Sequence, residues 1–185
     1  MSVFTRLIVF FVASLLLVYI SRKALRLRDC HGFYRFFAFE SIAALVLYNQ
    51  PHWFVQPFAP LQCLSWLLLV MSVALVLHGL VVLAREGGRV ERDQHPANMA
   101  FENTSTLVNS GVYRYIRHPM YASLLFLALG AWCKNIDIFS TLFMAVAVMA
   151  LMFTARREEL ENIEFFGTAY TAYMQHTRMF IPFLF

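Results

Sequence analysis

Apolar residues fall along the chain in five runs, which short polar segments separate. The runs cover residues 3–20, 33–48, 61–83, 119–133 and 138–155. A bilayer core about 30 Å thick is crossed by about 20 mostly apolar helical residues. Charged side chains inside the runs are few, with Arg6 in the first run and Arg35 and Glu40 in the second. The pattern predicts an all-α integral membrane protein, in which a five-transmembrane-helix bundle forms a single domain over residues 1–185.

The fourth run is short for a membrane span. At about 1.5 Å per residue it reaches roughly 22 Å, which is less than the thickness of the hydrocarbon core. It begins at Pro119, and proline suits the first helical position because its missing N–H has no helical partner there. One end of this helix is therefore expected to be recessed, which is tolerated only where the backbone lines a cavity or is covered by protein. A pocket facing the cytoplasm is the expected result.

Composition agrees with a membrane location. The chain is 60% hydrophobic and 14% charged, with a formal net charge of +4, whereas soluble domains are about 45–50% apolar and about 25% charged. The basic residues stand at the ends of the apolar runs and do not form a dense stripe, so no nucleic-acid partner is expected. The three cysteines show no disulfide framework and no metal-ligand spacing, so no metal site is expected.

Lysine and arginine predict the orientation in the membrane. The connections before the second run, before the fourth run and after the fifth run are rich in arginine, whereas residues 49–60 carry no charge. Basic connections remain on the cytoplasmic side. The N-terminus is therefore expected outside, and the C-terminus and the active site in the cytoplasm. The segments expected there are residues 21–32, 84–117 and 156–185.

Two of these cytoplasmic segments are long. Residues 84–110 mix glycine, asparagine, proline and charges, and this mixture predicts a loop. Residues 156–174 place apolar side chains every three or four positions, which is the pattern of an amphipathic helix. Such a C-terminal helix can lie along the membrane surface or fold back over the bundle.

Two polar stretches beside the last two runs could carry chemistry. His118 stands at the start of the fourth run, where unsatisfied backbone N–H groups favour a ligand carboxylate or phosphate; the alternative is a histidine and aromatic pair that anchors the span at the interface. After the fifth run, Glu158, Glu159, Glu161 and Glu164 place four carboxylates in seven residues. By itself this acidic group is also compatible with a solvated helix face.

Together the two stretches resemble the isoprenylcysteine carboxyl methyltransferase family and its phospholipid N-methyltransferase relatives. Ser110 to Tyr121 is similar to the family pattern S-G-x-Y-x-x-x-R-H-P-x-Y. Glu158 to Tyr173 is similar to E-E-x-x-x-x-x-F-F-G-x-x-Y-x-x-Y, and a short apolar segment containing Pro182 follows. The resemblance covers residues 101–185, and the first three runs match only in being apolar.

The resemblance implies that residues 101–185 bind S-adenosyl-L-methionine on the cytoplasmic side. Carboxylate and hydroxyl groups can hold the cations and ribose of this cofactor, and a helix start with a histidine can hold its carboxylate. Glu158 corresponds to the cofactor-binding acid, and Glu159 is its nearest competitor. The residues implied in cofactor binding are Ser105, Thr106, Leu107, Val108, Tyr113, His118, Pro119, Met120, Tyr121 and Glu158.

The acceptor is expected to be lipophilic and to enter from the bilayer. The preferred reaction is methyl transfer to the carboxylate of a prenylated cysteine, a prenylated peptide or a similar amphiphile. The alternatives are a phospholipid or other amine N-methyltransferase and a membrane transporter or assembly subunit without catalysis. Family members from eukaryotes carry a substrate-binding arginine where this chain has Thr154, so Arg156 and Arg157 are the substrate-binding candidates, and no catalytic residue is assigned.

The remaining ionisable residues are expected to have structural or solvated positions. Counting from the cytoplasmic ends places Glu40 and His78 at similar depths in the second and third runs, which predicts a contact between them. Glu161 and Glu164 are expected to be solvated neighbours of Glu158. The histidines expected to be solvated are His31, His52, His95 and His176.

Overall fold

The computed structural model describes residues 1–88, 90 and 103–182, and within them the fold is entirely helical. The α-helices are Val3–Arg26 (α1), His31–Tyr48 (α2), Pro60–Glu86 (α3), Pro119–Trp132 (α4), Ile138–Phe166 (α5) and Thr168–His176 (α6). Each apolar run of the sequence begins within two residues of the start of one of the first five helices, so the all-α prediction is confirmed. The predicted loop at 84–110 lies partly outside the described residues, as does His95.

Three helices among the described residues, α1, α3 and α5, are long and apolar enough to cross a membrane. Helix α4 is also apolar but has only 14 residues. Helix α2 has 18 residues and includes Arg35 and Glu40. The structure thus agrees with a membrane protein, and a five-span bundle stays a prediction.

The centre of the bundle is formed by α2, α4 and α5. Helix α2 packs along α5, α3 packs along α4, and α1 lies against α2 at the edge. The buried core at this centre includes small side chains such as Ala38, Ala122 and Ala150, packed around Leu151. Small residues let helix backbones approach closely, which is how helices associate in lipid, where the solvent is as apolar as the side chains.

Helices α3 and α4 approach each other closely at Gly130. The Ser65 hydroxyl donates a hydrogen bond to the Gly130 carbonyl oxygen at 2.7 Å. A Cβ atom at Gly130 would lie 2.8 Å from Leu69 Cγ and 3.1 Å from the Ser65 carbonyl oxygen. The absence of a side chain at Gly130 therefore sets the spacing of these two helices.

The predicted amphipathic helix at 156–174 is not a separate element. Helix α5 continues without a break to Phe166, and the chain turns only at Gly167, whose φ is +61°. Arginine, glutamate and leucine, which dominate the positions after Ala155, are good helix formers. Glycine adopts a positive φ without steric cost, so Gly167 ends α5 and allows α6 to start in a new direction.

The predicted contact between Glu40 and His78 was wrong. Glu40 Oε2 instead accepts a hydrogen bond from the Ser14 hydroxyl of α1 at 2.7 Å. His78 lies beside Gly111, where an added Cβ would be 2.9 Å from His78 Nε2. Equal depth in the bilayer does not bring two residues together, because α2 packs on α1 and α5 whereas α3 packs on α4.

Replacing Gly130 with valine should lower the thermal stability of the purified protein in detergent. The added side chain would press on Leu69 and on the Ser65 backbone, and overpacking typically costs about 1–3 kcal/mol. The matched control is Ala74→Val on the exposed face of α3, which should leave the melting temperature unchanged. Equal melting temperatures for the two variants would contradict the close approach of α3 and α4.

Candidate active site

A cavity of about 300 Å³ lies among α2, α3, α4, α5 and α6. This volume is at the lower end of the range for small-molecule sites, about 300–1,000 Å³. Its wall joins the two polar stretches of the sequence, since His118 and Tyr121 of α4 line it together with Glu158 of α5. Apolar side chains complete the wall, among them Phe39 and Leu124.

The start of α4 is held by backbone pairing with the C-terminal segment. The N–H of Arg117 donates to the Arg178 carbonyl oxygen at 2.7 Å, and the N–H of His118 donates to the Met179 carbonyl oxygen at 3.1 Å. The Arg178 N–H donates in turn to the Tyr115 carbonyl oxygen at 2.9 Å. Residues that are far apart in the chain therefore form one short parallel bridge beside the cavity.

Arg117 joins three parts of the protein. Its Nε donates to Glu159 Oε1 at 2.6 Å, and both side chains are buried, with exposed fractions of 10% and 8%. Its Nη1 donates to the Thr177 carbonyl oxygen at 2.6 Å. A buried ion pair needs such additional hydrogen bonds to offset the cost of removing the charges from water. Arg117 thus fixes the start of α4 to α5 and to the C-terminal segment.

Glu158 lies next to this ion pair but faces the cavity. Its Oε2 is 3.9 Å from His118 Nδ1, and its side chain is 24% exposed. Successive helical residues are about 100° apart around the axis, so Glu158 and Glu159 meet different surroundings. Among the described residues, Glu158 makes no shorter ion pair, which leaves its carboxylate available to a cationic ligand.

Histidine and tyrosine side chains surround this carboxylate. The His118 ring is 4% exposed and stacks on the Tyr121 ring, with centroids 5.4 Å apart. Burial raises the pKa of Tyr113, and the Glu158 charge raises it further. Burial also raises the pKa of Tyr170 and of Tyr173. These phenols stay protonated at physiological pH, so they can donate hydrogen bonds, as the Tyr173 hydroxyl does to the Tyr113 carbonyl oxygen at 2.6 Å.

Most of the residues predicted to bind the cofactor line the cavity. Those that do are Leu107, Val108, Tyr113, His118, Pro119, Met120, Tyr121 and Glu158. Ser105 and Thr106 are not part of its wall. Their N–H groups donate to the Gly87 carbonyl oxygen at 2.9 and 3.1 Å, so they attach this strip to the end of α3. The role of each residue in cofactor binding stays a prediction.

The arginines predicted to bind the substrate do not reach the cavity. Arg156 is exposed, and Arg157 Nη2 lies 3.8 Å from Asp29 Oδ1 at the surface. Thr154 is fully buried, and its hydroxyl donates to the Ala150 carbonyl oxygen within the same helix at 2.7 Å. The face of α5 that carries Arg156 and Arg157 points away from the site. Their closeness to Thr154 in the sequence therefore did not indicate a position in the cavity wall.

A buried polar network behind the cavity was missed from the sequence. His31 Nδ1 lies 2.7 Å from Glu161 Oε2, and the His31 N–H donates to Glu161 Oε1 at 3.0 Å. Arg35 Nη1 lies 3.5 Å from His31 Nε2, and Arg35 lines the cavity. The prediction that His31 and Glu161 are solvated was wrong. Arg35 was the sequence feature that could have revealed this network, since an ionisable residue within an apolar helix usually has a functional partner.

Other parts of the wall also lacked a sequence assignment. Asn162, Tyr170 and Tyr173 line the cavity from the end of α5 and from α6. The two tyrosines lie there because the turn at Gly167 brings α6 back over the site. His52 is half-buried, and His176 is exposed as predicted.

Comparison with known proteins identifies a family that matches the part of the chain containing His118 and Glu158. Residues 93–166 match the model of the isoprenylcysteine carboxyl methyltransferase family. The resemblance to this family that the two sequence motifs indicated is thus supported over these residues. The family match includes His118 and Glu158 but ends before α6, so the cover of the cavity lies outside it.

Two curated proteins from rice are similar to the chain. Each is named a probable protein-S-isoprenylcysteine O-methyltransferase, one from Oryza sativa subsp. indica and one from subsp. japonica. Each is 31% identical to this chain over 93 residues, which are 49% of the chain and 48% of the relative. The chain thus spans about half the length of these relatives. No solved structure matches it.

The neighbouring acids Glu158 and Glu159 should differ in their effect on stability. Glu159→Gln removes one charge of a buried pair and should lower the free energy of unfolding by about 3 kcal/mol. It should also expose the segment after α6 to proteolysis. Glu158→Gln is the matched control and should leave both properties near those of the wild type. Thermal unfolding and limited proteolysis in detergent measure them, and equal losses would mean that Arg117 does not depend on Glu159.

Proposed function

We propose that the protein is an integral membrane methyltransferase that transfers a methyl group from S-adenosyl-L-methionine to the carboxylate of a prenylated cysteine or a similar amphiphile. The observation that carries this proposal is the cavity, whose wall brings Glu158 to the start of α4 beside His118 and Tyr121. The rice relatives are named for the same activity. The match to a carboxyl methyltransferase family over residues 93–166 supports methyl transfer as the type of reaction.

The chemistry of the wall fits the cofactor. When bound, S-adenosyl-L-methionine supplies a methyl group activated by a sulfonium. The Glu158 carboxylate would hold a cationic group of the cofactor, since it has no closer ion pair among the described residues. In the first turn of α4 the N–H groups have no acceptor within the helix and favour an anion. His118 lines the cavity at this helix start and would lie beside the same anion, while its Nε2 is 3.4 Å from Glu159 Oε1.

The protein would act mainly by positioning. Tyr113, Tyr170 and Tyr173 would cover the bound cofactor, and Phe39, Val76 and Leu124 would exclude water deeper in the bundle. Holding two reactants in line supplies much of the acceleration of a group transfer. A carboxylate acceptor is already nucleophilic and needs no strong general base, whereas an amine acceptor would have to lose a proton.

The proposed orientation has the N-terminus outside and the cavity on the cytoplasmic side. The cavity lies at the ends of α2, α3, α4 and α5 that adjoin the arginine-rich connections. Those connections are expected to stay in the cytoplasm. A lipophilic acceptor would then enter from the inner half of the bilayer.

The purified protein should bind S-adenosyl-L-methionine and methylate N-acetyl-S-farnesylcysteine. Glu158→Gln should lower the affinity for the cofactor about tenfold or more, because a charge-assisted hydrogen bond contributes about 1.5–3 kcal/mol. Titration calorimetry measures the affinity, and transfer of a labelled methyl group measures the activity.

The control for this experiment is Glu164→Gln. Glu164 follows on the same helix but is exposed and is not part of the cavity wall, so its replacement should change the affinity little. Equal small losses in the two variants would remove Glu158 from the cofactor site. Absence of binding and transfer in the wild type would overturn the proposed function.

Single cysteines should report the orientation of the chain. In a cysteine-free background, Phe58→Cys should be modified by a membrane-impermeant thiol reagent from outside, because Phe58 is exposed at the end of the bundle away from the cavity. Asn109→Cys is exposed near the cavity and should react only after the membrane is permeabilised. Labelling of intact cells gives the answer, and the reverse pattern would invert the topology.

A further inference from the structure

Three tyrosines form a cluster in the cavity wall beside Glu158. Tyr113 precedes α4, Tyr170 and Tyr173 belong to α6, and all three line the cavity. Burial raises the pKa of Tyr113 and of Tyr170, and the Glu158 charge raises both further, so these two phenols lie near this carboxylate. The rings of Tyr170 and Tyr173 have centroids 5.8 Å apart. The tyrosine cluster and Glu158 therefore share one end of the cavity.

Hydrogen bonds of the hydroxyl groups hold the tyrosine cluster in place. The Tyr173 hydroxyl donates to the Tyr113 carbonyl oxygen at 2.6 Å, and the Tyr170 hydroxyl is hydrogen-bonded to the Asn162 side chain. Because these two hydroxyls already have protein partners, Tyr170 and Tyr173 offer a ligand chiefly their rings. The π face of a tyrosine ring attracts a cation, and the attraction is strongest where water is excluded.

The charges of this end of the cavity differ in number from those of the methyl donor. S-adenosyl-L-methionine carries two cations, an ammonium and a sulfonium, whereas Glu158 is the only carboxylate in the described wall. A carboxylate pairs well with an ammonium through charge-assisted hydrogen bonds. Placed against the methyl group of the sulfonium, however, it would itself be a methyl acceptor. A tyrosine ring whose phenol stays protonated attracts the sulfonium without competing for the methyl group.

We propose that the tyrosine cluster binds the sulfonium of the methyl donor and makes the site prefer the charged donor to its uncharged, demethylated product. This inference rests on the proposed function and adds a basis for product release. In the transfer, the bond between sulfur and the methyl carbon breaks and its electron pair stays on sulfur, while a lone pair of the acceptor oxygen forms the new bond to carbon. The positive charge on sulfur is lost, so the rings no longer hold the product by cation–π attraction.

The test compares the affinities of three ligands that share the same adenosyl group. S-adenosyl-L-methionine has the sulfonium, S-adenosyl-L-homocysteine has an uncharged sulfur, and sinefungin has an ammonium group in place of the methylsulfonium. Titration calorimetry of the purified protein in detergent gives the three Kd values. The wild type should bind the two ligands with the extra charge about tenfold or more tighter than S-adenosyl-L-homocysteine.

Replacing a ring with an aliphatic side chain should remove this preference. Tyr170→Leu and Tyr173→Leu should weaken binding of S-adenosyl-L-methionine and sinefungin and change that of S-adenosyl-L-homocysteine little, so the three Kd values approach one another. Tyr170→Phe and Tyr173→Phe keep the ring without the hydroxyl bond and should keep the wild-type ratio. Tyr115→Leu, at a half-exposed tyrosine that does not line the cavity, is the matched control and should also keep it.

The ratio of two Kd values measured on one protein separates a loss of charge preference from a general loss of binding. If the buried Tyr170→Leu variant does not fold, the partly exposed Tyr173 decides the question. A wild-type ratio in the leucine variants, or equal affinity of the wild type for donor and product, would overturn the role of the tyrosine cluster and leave the proposed methyl transfer intact. Failure of the wild type to bind any of the three ligands would overturn the proposed function as well.

Discussion

The ion pair between Arg117 and Glu159 is the contact on which the site depends. These residues are 42 positions apart, and the guanidinium also holds the Thr177 carbonyl oxygen. One side chain thus determines how α4, α5 and the C-terminal segment meet. Because a buried charge without its partner is strongly destabilising, the three parts are coupled, and neither the helix start at His118 nor the cover formed by α6 has an independent position.

The cavity wall separates charged from apolar side chains along the length of the bundle. Glu158, Arg117 and His118 lie where α4 begins, and the wall becomes apolar toward Phe39 and Leu124. This gradient follows from the short α4, whose 14 residues leave room at one end of the bundle. Arg117 and Glu159 at that end are paired with each other, as the membrane requires of charges away from water, and a ligand with a charged head and an apolar chain fits the same gradient.

Much of this arrangement could be predicted from the sequence, because apolar runs fix the helices and the two motifs fix most of the cavity wall. The side-chain contacts between different helices could not be predicted in this way. His31 and Glu161 are 130 positions apart and meet only because α2 packs on α5. Glu40 lies within α2 as predicted, but its contact with Ser14 of α1 depends on a neighbour that periodicity does not identify. The sequence did not predict that α5 continues to Phe166, because the residues change from apolar to charged along the helix. This change alters the environment of a helix without ending it.

The backbone bridge between residues 115–118 and 178–179 has a consequence for biosynthesis. All five apolar helices precede, in chain order, the segment that pairs beside His118. The cavity therefore cannot be completed while residues 177–180 are still inside the ribosome. A chain in which α1 to α5 have formed can still have no closed pocket, so ligand binding reports a chain in which residues 177–180 have paired beside His118.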